Sequence, residues 1–264
     1  VDSVSKIQHA LVREALRLTG IESGVEITTI ADIPGRGSGL GSSSSVTVGL
    51  LNAMYAFQGR KPLKEQLAEE ACKIEIEIMG APIGRQDQYA ASYGGVNSIR
   101  FGGKGVSVEP MEIGKDMLAE ISRNFTLVFT GMTRSASKVL AEESEDEEDK
   151  SRRMREIRDH ADQAVMMFQN GDLDSLGALL NDTWIAKRGI SSMITNPSID
   201  ELYGRVMSSG AKGAKLLGAG NGGFLLVYGE SGLRETLQRE LGPDFRIFPL
   251  EIDFSGSRII HGTS

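Results

Sequence analysis

Apolar residues at Val4, Ile7, Leu11, Ala15 and Leu18 recur at three- and four-residue steps, a pattern that predicts an amphipathic helix ending near Gly20. The short segment from Val25 to Ile30 reads as a strand that delivers the chain to a glycine-rich stretch. Ser45 to Tyr55 then reads as a helix, and Leu63 to Met79 as another, with Gly80 and Pro82 breaking it. Ser92 to Phe101 suggests a turn into a strand, and Phe125 to Thr130, bounded by Asn124 and Gly131, reads as a buried strand. Farther on, helices are expected over 151–169, 172–188, 198–209 and 232–241, with strands over 214–217, 224–228 and 246–252. Strands interleaved with paired helices indicate an α+β architecture. The boundary between two domains is expected around Met111 to Ser122, dividing the chain into residues 1–115 and 116–264.

Composition narrows the class. The 264 residues suffice for two moderate cores, and 40% hydrophobic with 25% charged residues fits an ordinary globular protein. A net charge of −7 argues against broad nucleic-acid or anionic-membrane binding, which rest on basic patches. Cys72 is the only cysteine, so no intramolecular disulfide exists and a reducing, cytoplasmic setting is expected. The chain opens Val-Asp-Ser rather than with methionine, so upstream material is expected. The acidic block from Glu142 to Asp149, followed by a basic stretch, reads as a solvated loop entering a charged helix.

Candidate chemistry centres on PGRGSGLGSSSS, Pro34 to Ser45. Gly35, Gly37, Gly39 and Gly41 let backbone N–H groups approach an anion, and the helix that follows adds its unpaired N–H groups and positive dipole end. No lysine lies between Ala31 and Arg60, which excludes a P-loop, and the third glycine of a dinucleotide fingerprint is missing at Ser42. A second feature is GAPIGRQDQYAASY, where Asp87 sits in an expected loop between helix and strand. Its carboxylate could take a proton from a hydroxyl or simply cap the next segment. Upstream, Glu75 and Glu77 lie on the preceding helix, where a glutamate could share a magnesium ion with a loop serine or simply be solvated. The third feature, KLLGAGNGGFLLVY, holds Gly218, Gly220, Gly222 and Gly223 between two apolar strands, where two backbones, or a backbone and a ligand, must come close.

Together these features resemble the GHMP kinase superfamily of small-molecule kinases. The resemblance rests on Pro-x-x-x-Gly-Leu-Gly-Ser-Ser at Pro34 to Ser43, on Glu75 before Gly80, Pro82, Gly84 and Asp87, and on the turn from Gly218 to Gly223. It implies a two-domain α+β fold, with a mixed α/β N-terminal domain that binds ATP and a ferredoxin-like C-terminal domain. It also implies an opening strand and first motif that this chain does not contain. The wording of IGRQDQYAASYGGVN, TGMTRSAS and LLGAGNGGFLLVY is most similar to D-glycero-D-manno-heptose 7-phosphate kinases.

Residue by residue, the resemblance implies that Pro34, Gly37, Gly39, Leu40, Gly41, Ser42, Ser43 and Ser44 line the ATP phosphates and that Ser43 and Glu75 hold Mg2+. Asp87 would deprotonate the anomeric hydroxyl of the sugar. Substrate contacts are expected from Gln86, Gly218, Gly220 and Gly222. A sugar that already carries a phosphate needs cations; Arg134 is the first candidate, with Arg85, Lys187 and Arg188 behind it. The partner is a small sugar phosphate, with a homodimer as an expectation. The rival readings are a kinase of a free sugar such as fucose or galactose, a non-catalytic sugar or nucleotide sensor, and a dinucleotide-dependent oxidoreductase.

Overall fold

The computed structural model describes residues 3–31, 38–133 and 147–261. The chain forms two compact units, one built on Gly41–Pro110 with residues 3–31 and 252–261, the other on Met111–Glu251 with residues 38–40. Two contiguous pieces meeting at residue 115 therefore do not describe it, because the C-terminal segment from Ile252 returns to the first unit.

In the first unit, α1 (Ala10–Thr19) begins where the His9 imidazole accepts from Val12 N and ends at Gly20, whose φ of 73° only glycine adopts readily. The single helix expected from Val4 is broken: Val4–Lys6 is a separate 3-10 turn capped by Ser3. Helix α2 (Ser42–Phe57) buries Val48, Leu51, Met54 and Tyr55 against Ala15 and Leu16 of α1 and against Leu67, Ala71 and Ile74. The last three lie on α3 (Lys64–Cys72) and on the π-helical turn Lys73–Ile78 that continues it. After the Gly80–Gly84 bend comes α4 (Gln86–Tyr93), and then the antiparallel hairpin of β1 (Asn97–Gly102) and β2 (Gly105–Pro110), paired Asn97 to Pro110. Gly95 N donates to Asp253 O at 2.7 Å, fastening the C-terminal segment behind α4. The strand expected at residues 25–30 does not form. Ile30 is 91% exposed, and a β-branched segment without a ladder partner among the described residues stays irregular.

The second unit opens with α5 (Lys115–Asn124) and β3 (Phe125–Phe129), followed by α6 (Glu147–Gln169), α7 (Leu173–Arg188) and α8 (Pro197–Ser208). Strands β4 (Gly213–Leu216) and β5 (Phe224–Tyr228), helix α9 (Leu233–Leu241) and β6 (Ile247–Pro249) complete it. The sheet order is β4-β5-β3-β6 and every pair is antiparallel, which is the ferredoxin-like βαββαβ arrangement elaborated with extra helices. Caps mark the helix starts: Asp172 Oδ1 accepts from Ser175 N, and Asn196 Oδ1 accepts from Ser198 N and Ile199 N ahead of Pro197. On one sheet face Ala214, Leu216, Leu225, Val227 and Val128 pack with Ile199, Leu202 and Val206 of α8 and Leu233, Leu237 and Leu241 of α9. Helix α7 lies directly on β4, where a Cβ on Gly213 would overlap the carbonyl of Gly177. The last strand, Ile247–Pro249, is shorter than the expected 246–252, although Leu250 N still donates to the Phe125 carbonyl of β3 at 3.4 Å.

Candidate functional site

The start of α2 is built to present backbone donors. Its N-cap is Gly41, in the left-handed region at φ 67°, and no side chain caps the helix. A Cβ on Gly41 would stand 3.2 Å from Cβ and Cγ of Asp87, so the glycine makes room for that carboxylate. Asp87 is not in a loop, as expected, but in the first turn of α4. The short, weakly amphipathic stretch QDQYAASY after a glycine-rich bend hid that helix. Burial raises the Asp87 pKa above its ordinary value, a hydrogen bond from Gln86 pulls it back, and the charge of Glu75 raises it again. Gln86, expected to touch substrate, precedes Asp87 in the first turn of α4.

Glu75 occupies the π-helical turn and is 2% exposed. Its Oε2 accepts from Ser44 Oγ at 2.8 Å and from Gln88 Nε2 at 2.5 Å, while Oε1 accepts from Thr47 Oγ1 at 3.2 Å. The serine that meets Glu75 is therefore Ser44, not the expected Ser43, whose side of α2 is exposed. Thr47 and Gln88 are the residues the sequence reading missed. Thr47 stands one helical turn after Ser44, and Gln88 directly follows Asp87; those spacings were the available signal. Gln88 is fully buried, and among the described residues its Oε1 has no hydrogen-bond partner. An oxygen donor set of carboxylate, hydroxyls and an unsatisfied amide oxygen suits a hard divalent ion and its water shell, so these residues fit Mg2+.

The second glycine turn is explained by protein neighbours. A Cβ on Gly218 would lie 2.6 Å from Gly39 Cα, on Gly220 2.6 Å from Ile194 O, and on Gly222 2.9 Å from Met132 O; Gly223 likewise lies against Ser38 O. Of the two alternatives, close backbone packing is the one the structure displays at Gly218, Gly220 and Gly222. Leu40 N donates to Ser38 Oγ at 3.3 Å and holds this loop segment in shape. Pro34, Gly37 and Arg134 lie outside the described residues.

The remaining candidate cations differ sharply. Arg85 lies over the Phe101 ring at 5.3 Å, and Arg188 pairs with Asp200 at 2.8 Å while covering Trp184 and Tyr203. Lys187, half-buried near the end of α7, donates to Gly218 O, and burial followed by the charge of Lys215 pushes its pKa down to about 8. Burial lowers Lys215 as well. Cys72 is buried, and burial pushes its thiol up to about 11, which leaves it inert as a nucleophile. Among the described residues there is no cluster of three metal-ligating side chains, and no helix is long and apolar enough to cross a membrane.

Residues 4–95 match the model of the GHMP kinases N terminal domain and residues 166–244 that of the GHMP kinases C terminal region. The chain belongs to the GHMP kinases. It is 33% identical over 205 residues to the D-glycero-alpha-D-manno-heptose 7-phosphate kinase of Campylobacter jejuni, covering 76% of this chain and 60% of that protein. It is 26% identical over 257 residues to the bifunctional fucokinase/GDP-fucose pyrophosphorylase of Arabidopsis thaliana, covering 90% of this chain but 24% of that protein. The chain thus spans less than two thirds of either relative. The crystal structure of a D-glycero-D-manno-heptose 1-phosphate kinase from Bacteroides thetaiotaomicron shares the fold, with a TM-score of 0.74 at 23% identity over 98% of this chain and 79% of that one.

Proposed function

We propose that the protein is an ATP- and Mg2+-dependent kinase that phosphorylates the anomeric hydroxyl of a sugar phosphate, D-glycero-D-manno-heptose 7-phosphate, to give the 1,7-bisphosphate. The observation that carries this reading is the Asp87 carboxylate held against Gly41 at the start of α2, with its basicity raised by burial. The N–H groups at Gly41, Ser42, Ser43 and Ser44 and the dipole of a 16-residue helix bind the phosphates. Asp87 accepts the proton of the attacking hydroxyl and orients its oxygen toward the phosphoryl group. Glu75, with Ser44 and Ser43 beside it on α2, would hold Mg2+, which supplies neutralisation of phosphate charge. Thr47 and Gln88 keep the Glu75 carboxylate in one orientation.

The heptose phosphate is chosen over free sugars on the similarity to the Campylobacter jejuni enzyme. The test is ADP release by the full-length protein with heptose 7-phosphate beside fucose, galactose and mannose. Turnover with the heptose phosphate, lost in Asp87→Asn, supports the reading. Turnover confined to a free sugar replaces the substrate, and binding without ADP release with any sugar rejects catalysis.

A further inference from the structure

Lys215 lies in β4 between Ala214 and Leu216, which both enter the core on one face of the sheet. Strand alternation turns Lys215 to the other face, in the row with Leu226 and Leu127. That is the face on which Gly213 meets Gly177 of α7. The same helix carries Lys187, whose ammonium reaches Gly218 O just beyond the end of β4. Lys187 thus reaches the first residue of the glycine-rich turn, and half-buried Lys215, three residues before that turn on the face that α7 covers, is near enough for its charge to depress the pKa of Lys187.

Neighbouring cations in this unit are neutralised by the protein. Lys212 pairs with Asp174 at 2.9 Å and Glu230 at 3.2 Å, and Arg188 pairs with Asp200. Among the described residues neither Lys187 nor Lys215 forms an ion pair with a carboxylate, and no acidic group raises the pKa of either. Withdrawing an ammonium from water without a counter-charge is costly, and placing two together adds repulsion. Two ammonium groups match the double charge of a phosphate monoester, and lysine serves phosphate as a compact point charge.

We propose that Lys187 and Lys215, beside the turn that begins at Gly218, form a binding site for a phosphate monoester. Identifying that phosphate with the one already on the sugar rests on the kinase reading; the site itself does not. The alternative source of the same chemistry is the nucleotide, and the two are separable.

The experiment is thermal-shift and calorimetric titration of the full-length protein with mannose 6-phosphate, free mannose, inorganic phosphate and ATP. It compares wild type with Lys187→Met, Lys215→Met and the charge-preserving Lys215→Arg. Methionine matches the unbranched lysine stem and removes a buried charge, so these variants should fold; circular dichroism checks it. The expected result is a shift with the sugar phosphate that free mannose does not produce. Each Met variant loses it, with an affinity drop of about tenfold or more, and Lys215→Arg largely retains it, while ATP binding stays within about twofold throughout. Undiminished sugar-phosphate binding in both Met variants overturns the site. Loss of ATP binding alone overturns the sugar-phosphate assignment and gives the lysines to the nucleotide. Lysine-dependent binding in a protein that phosphorylates no sugar would leave this site standing while the kinase reading falls.

Discussion

Glu75 in the first unit and the lysine pair in the second are charges withdrawn from water, but their surroundings differ in kind. The Glu75 carboxylate receives hydrogen bonds from Ser44, Thr47 and Gln88, so its orientation is set before any ligand arrives. Among the described residues Lys187 donates to the Gly218 carbonyl, and neither it nor Lys215 has a carboxylate partner. The difference teaches which charge is finished by the protein and which awaits completion. A group that must hold one geometry is surrounded by fixed donors, whereas a group that takes up an anion keeps its capacity open.

The comparison can be broken most forcefully at Asp87, next to the Glu75 network. Asp87→Asn should lower turnover by about 10²-fold or more, as expected for loss of a general base. Stability should move the other way. The folded chain raises the Asp87 pKa above 3.8, so it holds the proton more tightly than the unfolded chain, and the ionised form is penalised at neutral pH. The variant should therefore melt no lower than wild type at pH 7, with the difference closing as the pH falls below the raised pKa. A large loss of melting temperature would instead make Asp87 a structural cap.

Glu75→Ala should cost about 2–3 kcal/mol in denaturant unfolding, because it strands the donors of Ser44 and Gln88 in the interior, while Thr47 keeps its 3.0 Å bond to the Ser43 carbonyl. A loss under about 0.5 kcal/mol would mean that water already shares the network. Gln88→Met separates the network's two duties. It removes a hydrogen bond to Glu75 but also an amide oxygen without a partner, so the ligand-free protein should change by less than about 1 kcal/mol. The Mg2+ concentration for half-maximal nucleotide binding should rise several-fold, measured by calorimetry, and an unchanged Mg2+ requirement would remove Gln88 from any role beyond packing.

The smallest effect is a pH slope. The folded Lys187 pKa of about 8 lies below its ordinary 10.5, so between those values the unfolded chain binds more protons and stability rises with pH. Lys187→Met should flatten that rise, measured by urea unfolding across the window. An identical slope in the variant would place Lys187 in water and weaken the contrast with Glu75.

Much of the frame was legible from residue patterns. Helix and strand positions in the second unit follow from apolar periodicity punctuated by glycine, and β5 falls on the residues expected for it, Phe224–Tyr228. The glycine loop, Glu75 and Asp87 were marked by motif chemistry, which local spacing carries. What failed depended on partners. Residues 25–30 look like a strand but have no ladder to join, and α4 has too little periodicity to declare itself, although packing against α2 and α3 makes it a helix.

The alternation of elements, the family and the identity of the charged groups can be read along the chain, since these are properties of neighbours in sequence. Packing in three dimensions settled that Ser44 rather than Ser43 meets Glu75, that Gly218, Gly220 and Gly222 answer to backbone neighbours, and that among the described residues Arg188 is neutralised while Lys187 and Lys215 are not. The physical reason is that hydrogen bonding, steric exclusion and charge pairing act over a few ångströms in space, and which residues share those few ångströms is settled by how helices and strands pack.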